Sequence, residues 1–211
     1  MSKSNAWYRV LITTLWVTLG LGILSFTLEL FYIQNLLQTG SDPIDTGSAW
    51  PEILQNLYRY TGFTDLLTGL AMLVVTIGYL YVTAVFVKSQ DPELVKVNPR
   101  WIFFAWIVNY VNIFYHYTFL QAFNQFGDST ESEKRRNRIL VFVFVGLDVI
   151  GSSISNQQLI QDFTSSSDVI TLEEFATRHW IYAIESGLTL ASALAFLLAV
   201  RPIQAALAKK Q

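Results

Sequence analysis

WIFFAWIVNYVNIFYHYTFLQAFNQF, residues 101–126, is the stretch on which the fold turns. It contains no Asp, Glu, Lys or Arg. It is also long enough to cross a bilayer, because a hydrocarbon core of roughly 30 Å takes about 20 helical residues. Yet it carries Asn109, Asn112, His116, Gln121 and Asn124, many polar groups for a lipid-facing span. Irregular backbone at that depth is tolerated only against protein or a water-filled cavity. Whether the segment crosses or turns back sets the number of spans and the side on which everything after it lies.

Outward from this segment the chain has four more charge-poor stretches, at 10–28, 66–87, 139–155 (broken only by Asp148) and 186–200. Of the 211 residues, 52% are hydrophobic and only 14% are charged, against about 25% charged in an average soluble domain. The expected fold is therefore an all-α polytopic membrane bundle in one domain, 1–211. Its spans fall at about 10–33, 64–87, 138–157 and 179–200, with outer loops at 38–60 and 158–178. The absence of Cys and the net charge of −2 argue against a disulfide-stapled module and a nucleic-acid partner. No small-residue cleavage site follows the first segment, so it reads as a retained span and not a signal peptide.

Boundary signals separate the segments. Residues 38–50 are rich in Gly, Ser, Asp and Pro, and Pro51 suits the first turn of a short helix with Ile53, Leu54, Leu57 and Tyr58 on one side. Trp50 and that face are expected at the interface. Thr171 followed by Glu174 has capping-box spacing, which predicts a helix from Leu172 into the last segment.

Orientation follows from the fourteen Lys and Arg residues. If 101–126 turns back, Lys3, Arg9, Lys88, Lys96, Arg100, Lys134, Arg135, Arg136, Arg138, Arg201, Lys209 and Lys210 share one side, and only Arg59 and Arg178 lie opposite. If it crosses, no bias remains. The expectation is four spans with 101–126 re-entrant or interfacial and both termini cytoplasmic; the alternative is five spanning helices.

Trp106, Ile107, Val108, Asn109, Tyr110, Val111, Asn112, Ile113, Phe114, Tyr115, His116 and Tyr117 resemble the motif of a bacterial multi-pass membrane family named domain of unknown function 4328. Trp106, Asn112 and Tyr117 fall on family positions, while Asn109 and His116 stand where the family has prolines. The resemblance implies a similar helix order and a bacterial plasma-membrane location. It implies no catalytic residue.

Ionisable groups inside membrane segments are functional candidates, since holding one there costs at least roughly 2.5–3.5 kcal/mol. Asp148 lies ten residues past Arg138, near mid-bilayer, with Ser152 and Ser155 on the same helical face. Asn109, Asn112 and His116 share another face, and the two sets together suggest a polar pathway or binding site. Glu29, Asp65, Glu185, Arg178 and His179 are expected as an outer polar cluster, with Arg59 in reach. Small residues recur every fourth position at Ala183, Gly187, Ala191, Ala195 and Ala199, and again at Thr14, Thr18 and Gly22. That spacing predicts close packing of the first and last helices on each other or across a dimer. Lys134, Arg135, Arg136 and Arg138 suit anionic lipid headgroups.

Two histidines without cysteine offer no metal site, and His116 and His179 are expected in opposite membrane halves, unsuited to one haem; no cofactor is expected. No nucleophile elbow or phosphate loop is present, so no enzyme is expected. The leading expectation is a non-enzymatic scaffold, regulatory or accessory subunit, partnered by the bilayer and by a homo-oligomer or another membrane protein. The alternative is a small-solute or ion pathway lined by Asp148, Asn109, Asn112 and His116.

Overall fold

The computed structural model describes residues 3–40, 51–105, 111–164 and 172–210. Among these, all regular structure is helical: α1 (Lys3–Thr39), α2 (Glu52–Gln90), a 3-10 turn (Pro99–Trp101) leading into α3 (Ile102–Ala105), α4 (Val111–Phe126), α5 (Glu131–Thr164) and α6 (Leu172–Ala208). Three of them, α1, α2 and α6, are long and apolar enough to cross a membrane. The 34-residue α5 rivals them in length, but its second half reads GSSISNQQLIQDFT (residues 151–164).

Local chemistry sets the helix ends. Gly40 takes a left-handed φ of 66°, and its N–H donates to the Leu36 carbonyl at 2.9 Å, closing α1 where a side chain would be strained. The start of α5 is a reciprocal cap: the Thr130 N–H donates to Glu133 Oε2 at 2.9 Å and the Glu133 N–H to Thr130 Oγ1 at 3.3 Å. The Thr130 amide, then its hydroxyl, hold the exposed Glu133 carboxyl below its ordinary range. Thr171 and Trp50 lie outside the described residues.

The short interfacial helix expected after Pro51 is instead the first part of α2, which runs unbroken for 39 residues. Nothing stops it. Thr61, Thr64 and Thr68 donate back to the carbonyls of Tyr58, Thr61 and Thr64 at 2.6, 2.8 and 2.9 Å, satisfying hydroxyls that would otherwise compete with the helix. The loops expected at 38–60 and 158–178 are correspondingly shorter, because helix continues through Thr39 and Thr164 and resumes at Glu52 and Leu172.

Both ends of the described chain lie at one end of the bundle, the terminal end. There Ser4 Oγ lies 3.0 Å from Thr83 Oγ1. Gln204 donates to Asn5 Oδ1 at 2.7 Å and accepts from the Tyr79 hydroxyl at 3.2 Å. The Trp7 ring lies directly over Gly78, where any β-carbon would collide with it. Residues on either side of 101–126 meet at this same end. Lys88 donates to the Val97 carbonyl at 3.4 Å, Phe126 stands edge-on to Phe86 at 5.9 Å, and the Asp128 N–H donates to the Ala206 carbonyl at 3.3 Å. The twelve basic residues grouped above therefore gather here, while Arg59 and Arg178 flank the Tyr58–His179 contact at the far end.

Helices α2, α1, α6 and α5 pack in that order, and α4 wedges between α2 and α5 from the terminal end. Among the described residues the backbones of α2 and α5 make no close approach. Around the wedge the core is dense: Leu11, Tyr79, Leu80, Phe119, Leu120, Phe123, Val141, Ala199 and Val200 are all buried. A polar bridge also runs through it. Asn137 donates to Asn124 Oδ1 at 3.0 Å, and Asn124 donates to the Lys134 carbonyl at 2.8 Å, tying α4 to α5.

A polar cavity and an outer clamp

Where the wedge of α4 stops, the bundle leaves a partly open cavity of about 380 Å³. His116, on the second turn of α4, forms its floor. Asp148 reaches it from α5, Glu185 and Ser192 from α6, Thr76 from α2 and Thr18 from α1. The rest of the wall is apolar and includes Leu15, Met72, Phe144, Leu147 and Phe196. His116 is buried, edge-on to Phe144 at 5.8 Å. Thr18 Oγ1 is buried without a hydrogen-bond partner. Among the described residues no Lys or Arg lines the space.

A second cavity of about 240 Å³ shares Thr18, Gly69, Glu185 and Thr189 with the first and extends toward the far end past Ser25, Thr68 and Ser186. Gly69 and Thr189 in the shared wall are exposed, so the space is not sealed. Toward the terminal end it is closed, since the next turn of each helix supplies the buried Leu11, Tyr79, Leu80, Phe119, Leu120, Val141 and Ala199.

One turn beyond Ser25, on the three helices that line the second cavity, sits a clamp. Glu29 is 9% exposed. Its carboxylate accepts from the Tyr58 hydroxyl at 2.7 Å, while its other oxygen lies 2.6 Å from His179 Nδ1. Donation to that carboxylate requires the His179 proton on Nδ1. The 3.5 Å between the Tyr58 hydroxyl and Nδ1 is then contact between two donors that share one acceptor. Tyr32 stacks on Tyr58 at 4.8 Å and lies 4.3 Å from the His179 ring, and Phe175 covers that ring at 4.7 Å.

The structure thus places His116 and Asp148 on the wall of one cavity and joins Glu29 to His179. Glu185, expected with the outer cluster, lines the cavity instead: it lies six residues past His179, about 9 Å along α6. Arg178 is half-buried beside the clamp. Asn109 lies outside the described residues, as do the side chains of Asp65, Asn112, Ser152 and Ser155. The small-residue seam is largely internal. Gly22 faces Leu190, Gly187 faces Phe26, and Ala183, Ala195 and Ala199 are buried, whereas Ala191 is exposed. In the basic run Lys134 pairs with Glu131 at 3.5 Å, and Arg135, Arg136 and Arg138 are exposed around the buried Asn137.

Sequence reasoning missed Tyr32 and Tyr58 as clamp partners and Thr76 and Ser192 as cavity hydroxyls. Single polar atoms on otherwise apolar helices carry no local pattern. Among the described residues no three His, Asp or Glu side chains gather closely enough to hold a metal ion. No family model, curated protein or solved structure matches the chain.

Proposed function

We propose that this chain is a four-span membrane protein, with α1, α2, α5 and α6 crossing and 101–126 turning back, that binds a small polar solute in its central cavity and forms part of a solute pathway. The observation that carries it is the meeting of His116, Asp148 and Glu185, from three helices, in one cavity. Ionisable groups at membrane depth are costly, and they face a water-filled or ligand-filled interior where they occur. The gathering of twelve of fourteen basic residues at the terminal end supports a cytoplasmic location for both termini. The bacterial plasma membrane, and kinship with the family of domain of unknown function 4328, belong to the same proposal. The buried plug beyond His116 makes the cavity one-sided as it stands, so passage to the cytoplasm requires α4 to shift against α2 and α5.

The scaffold reading loses its main support, because the small-residue seam is used largely within the chain itself. Proteoliposomes challenged osmotically with a panel of salts and small polar solutes test the proposal by light scattering. At least one solute is expected to permeate faster than in protein-free liposomes, and Asp148→Asn combined with His116→Ala is expected to return permeation to that baseline. Protein-free rates for every solute, with a membrane partner co-purifying equally with wild type and the double variant, would favour the scaffold.

A further inference from the structure

Three features of the cavity bear on what it takes. The first is charge. Asp148 and Glu185 line it and no Lys or Arg does, so a solute that brings a positive charge gains a carboxylate in a setting where charge is poorly screened. An anion would find no Lys or Arg there.

The second is the apolar wall. Leu15, Met72, Leu147, Phe144 and Phe196 face the same space, and the last two rings lie 4.7 Å apart at 35°. A bare inorganic ion leaves that wall wet. A cation with a hydrocarbon or aromatic body covers it, and the ring faces add attraction for the charge. At about 380 Å³ the volume lies at the small end of the roughly 300–1,000 Å³ range of small-molecule sites. Among the described residues no three-ligand cluster competes for a metal.

The third is access. The terminal end is plugged, and the clamp of Glu29, Tyr58 and His179 closes α1, α2 and α6 together at the far end. Among the described residues the backbones of α2 and α5 stand apart on this side of the bundle, and the exposed Gly69 shows that the cavity is not sealed. Leu66 and Leu70 on α2 and Val143 and Ile150 on α5 are exposed apolar side chains, as suits helices that face lipid.

We infer that the cavity is a site for an amphiphilic organic monocation, a protonated amine with an apolar body, admitted sideways from the bilayer between α2 and α5. The ammonium sits against Asp148 and the body lies against Phe144 and Phe196. This rests on the solute-binding reading above and narrows it to one ligand class. Thr18, whose hydroxyl oxygen is buried and unpartnered, supplies a further acceptor.

Isothermal titration of the purified full chain in nanodiscs with three molecules of one shape tests it: 4-phenylbutylamine, 4-phenylbutanol and 4-phenylbutyrate, with potassium chloride as the inorganic cation. The amine is expected to bind saturably, with Asp148→Asn weakening it by about 10- to 100-fold, the range of a lost charge-assisted hydrogen bond. Glu185→Gln, on a different helix, is the second variant and is expected to weaken the amine in the same direction if Asp148→Asn fails to fold. The alcohol and the acid are expected to bind at least about tenfold more weakly than the amine. Equal binding of the alcohol, or amine binding indifferent to both variants, would overturn the inference. If the butyrate or potassium binds with Asp148 dependence while the amine does not, the ligand class is wrong and the cavity reading stands. If none binds and the osmotic panel is silent too, both fall.

Discussion

At the terminal end of the bundle α1, α2, α4, α5 and α6 converge, aromatic and aliphatic side chains fill the space, and the polar bridge from Asn137 to Asn124 to the Lys134 carbonyl is internal and nearly complete. At the far end the described residues belong to α1, α2, α5 and α6, the backbones of α2 and α5 make no close approach, and hydroxyls, a histidine and carboxylates line open volume. The difference traces to one short element. α4 has 16 residues, too few to reach across, so it completes the core over half the bundle's depth and leaves a cavity over the other half. The lesson is that a half-length helix builds packing and a site at once: its body seals the terminal end, and its first turns supply the floor of the cavity.

The sharpest challenge to that contrast is truncation of matched aromatics. Phe123→Ala, in the sealed half where the side chain is fully buried, is expected to cost about 3–5 kcal/mol in detergent-unfolding measurements. Phe175→Ala, half-buried over His179, is expected to cost well under half of that. Equal costs would erase the distinction between the halves.

Next comes the polar bridge. Asn124→Ala leaves the Lys134 carbonyl and the Asn137 amide without their partner, and a loss of about 1–3 kcal/mol is expected from the same unfolding assay. In the clamp, Tyr58→Phe removes one of two donors to Glu29 and is expected to cost about 0.5–1.5 kcal/mol. It should raise amide exchange at the far end only. Exchange rising at the terminal end instead would show that the clamp is not a local device.

The smallest effect is at the exposed start of α5. Because the Thr130 amide and hydroxyl stabilise the Glu133 carboxylate and depress its pKa, that cap contributes fully above the ordinary glutamate value of 4.5 and fades as pH falls toward the lower folded value. Amides at 130–134 are expected to lose exchange protection on acidification, relative to neighbours further along α5. Glu133→Gln should flatten that pH dependence.

Much of this architecture is legible in residue order. Segments without charge mark the long helices, the distribution of Lys and Arg points to a segment that begins and finishes at one end, and both flanks of 101–126 do meet there. His116 and Asp148 stand out in the sequence as polar groups in apolar surroundings, but spacing alone does not bring them to one cavity wall; the packing of α4 against α5 does. Depth was harder to read. The four-span topology puts Glu185 near the outer surface, but α6 begins at Leu172, which sets Glu185 about 20 Å along the helix. The joining of 52–60 to α2 was hidden because Pro51 starts a helix without saying where it stops. The Thr130 to Glu133 cap was open to reading, having the same spacing as the one sought at Thr171. The aromatic partners of His179 come from α1, α2 and α6, an arrangement only tertiary packing creates.

The account depends most on 101–126 turning back, since that places α4 between α2 and α5 and His116 on the cavity floor. Single cysteines at Ser89 and Ser132, both exposed, can be introduced into this naturally Cys-free chain and treated in intact cells with an impermeant thiol reagent. Both are expected to stay unlabelled until the membrane is opened. Labelling at position 132 but not at 89 would mean that the segment crosses, and the half-helix account of the cavity would be wrong.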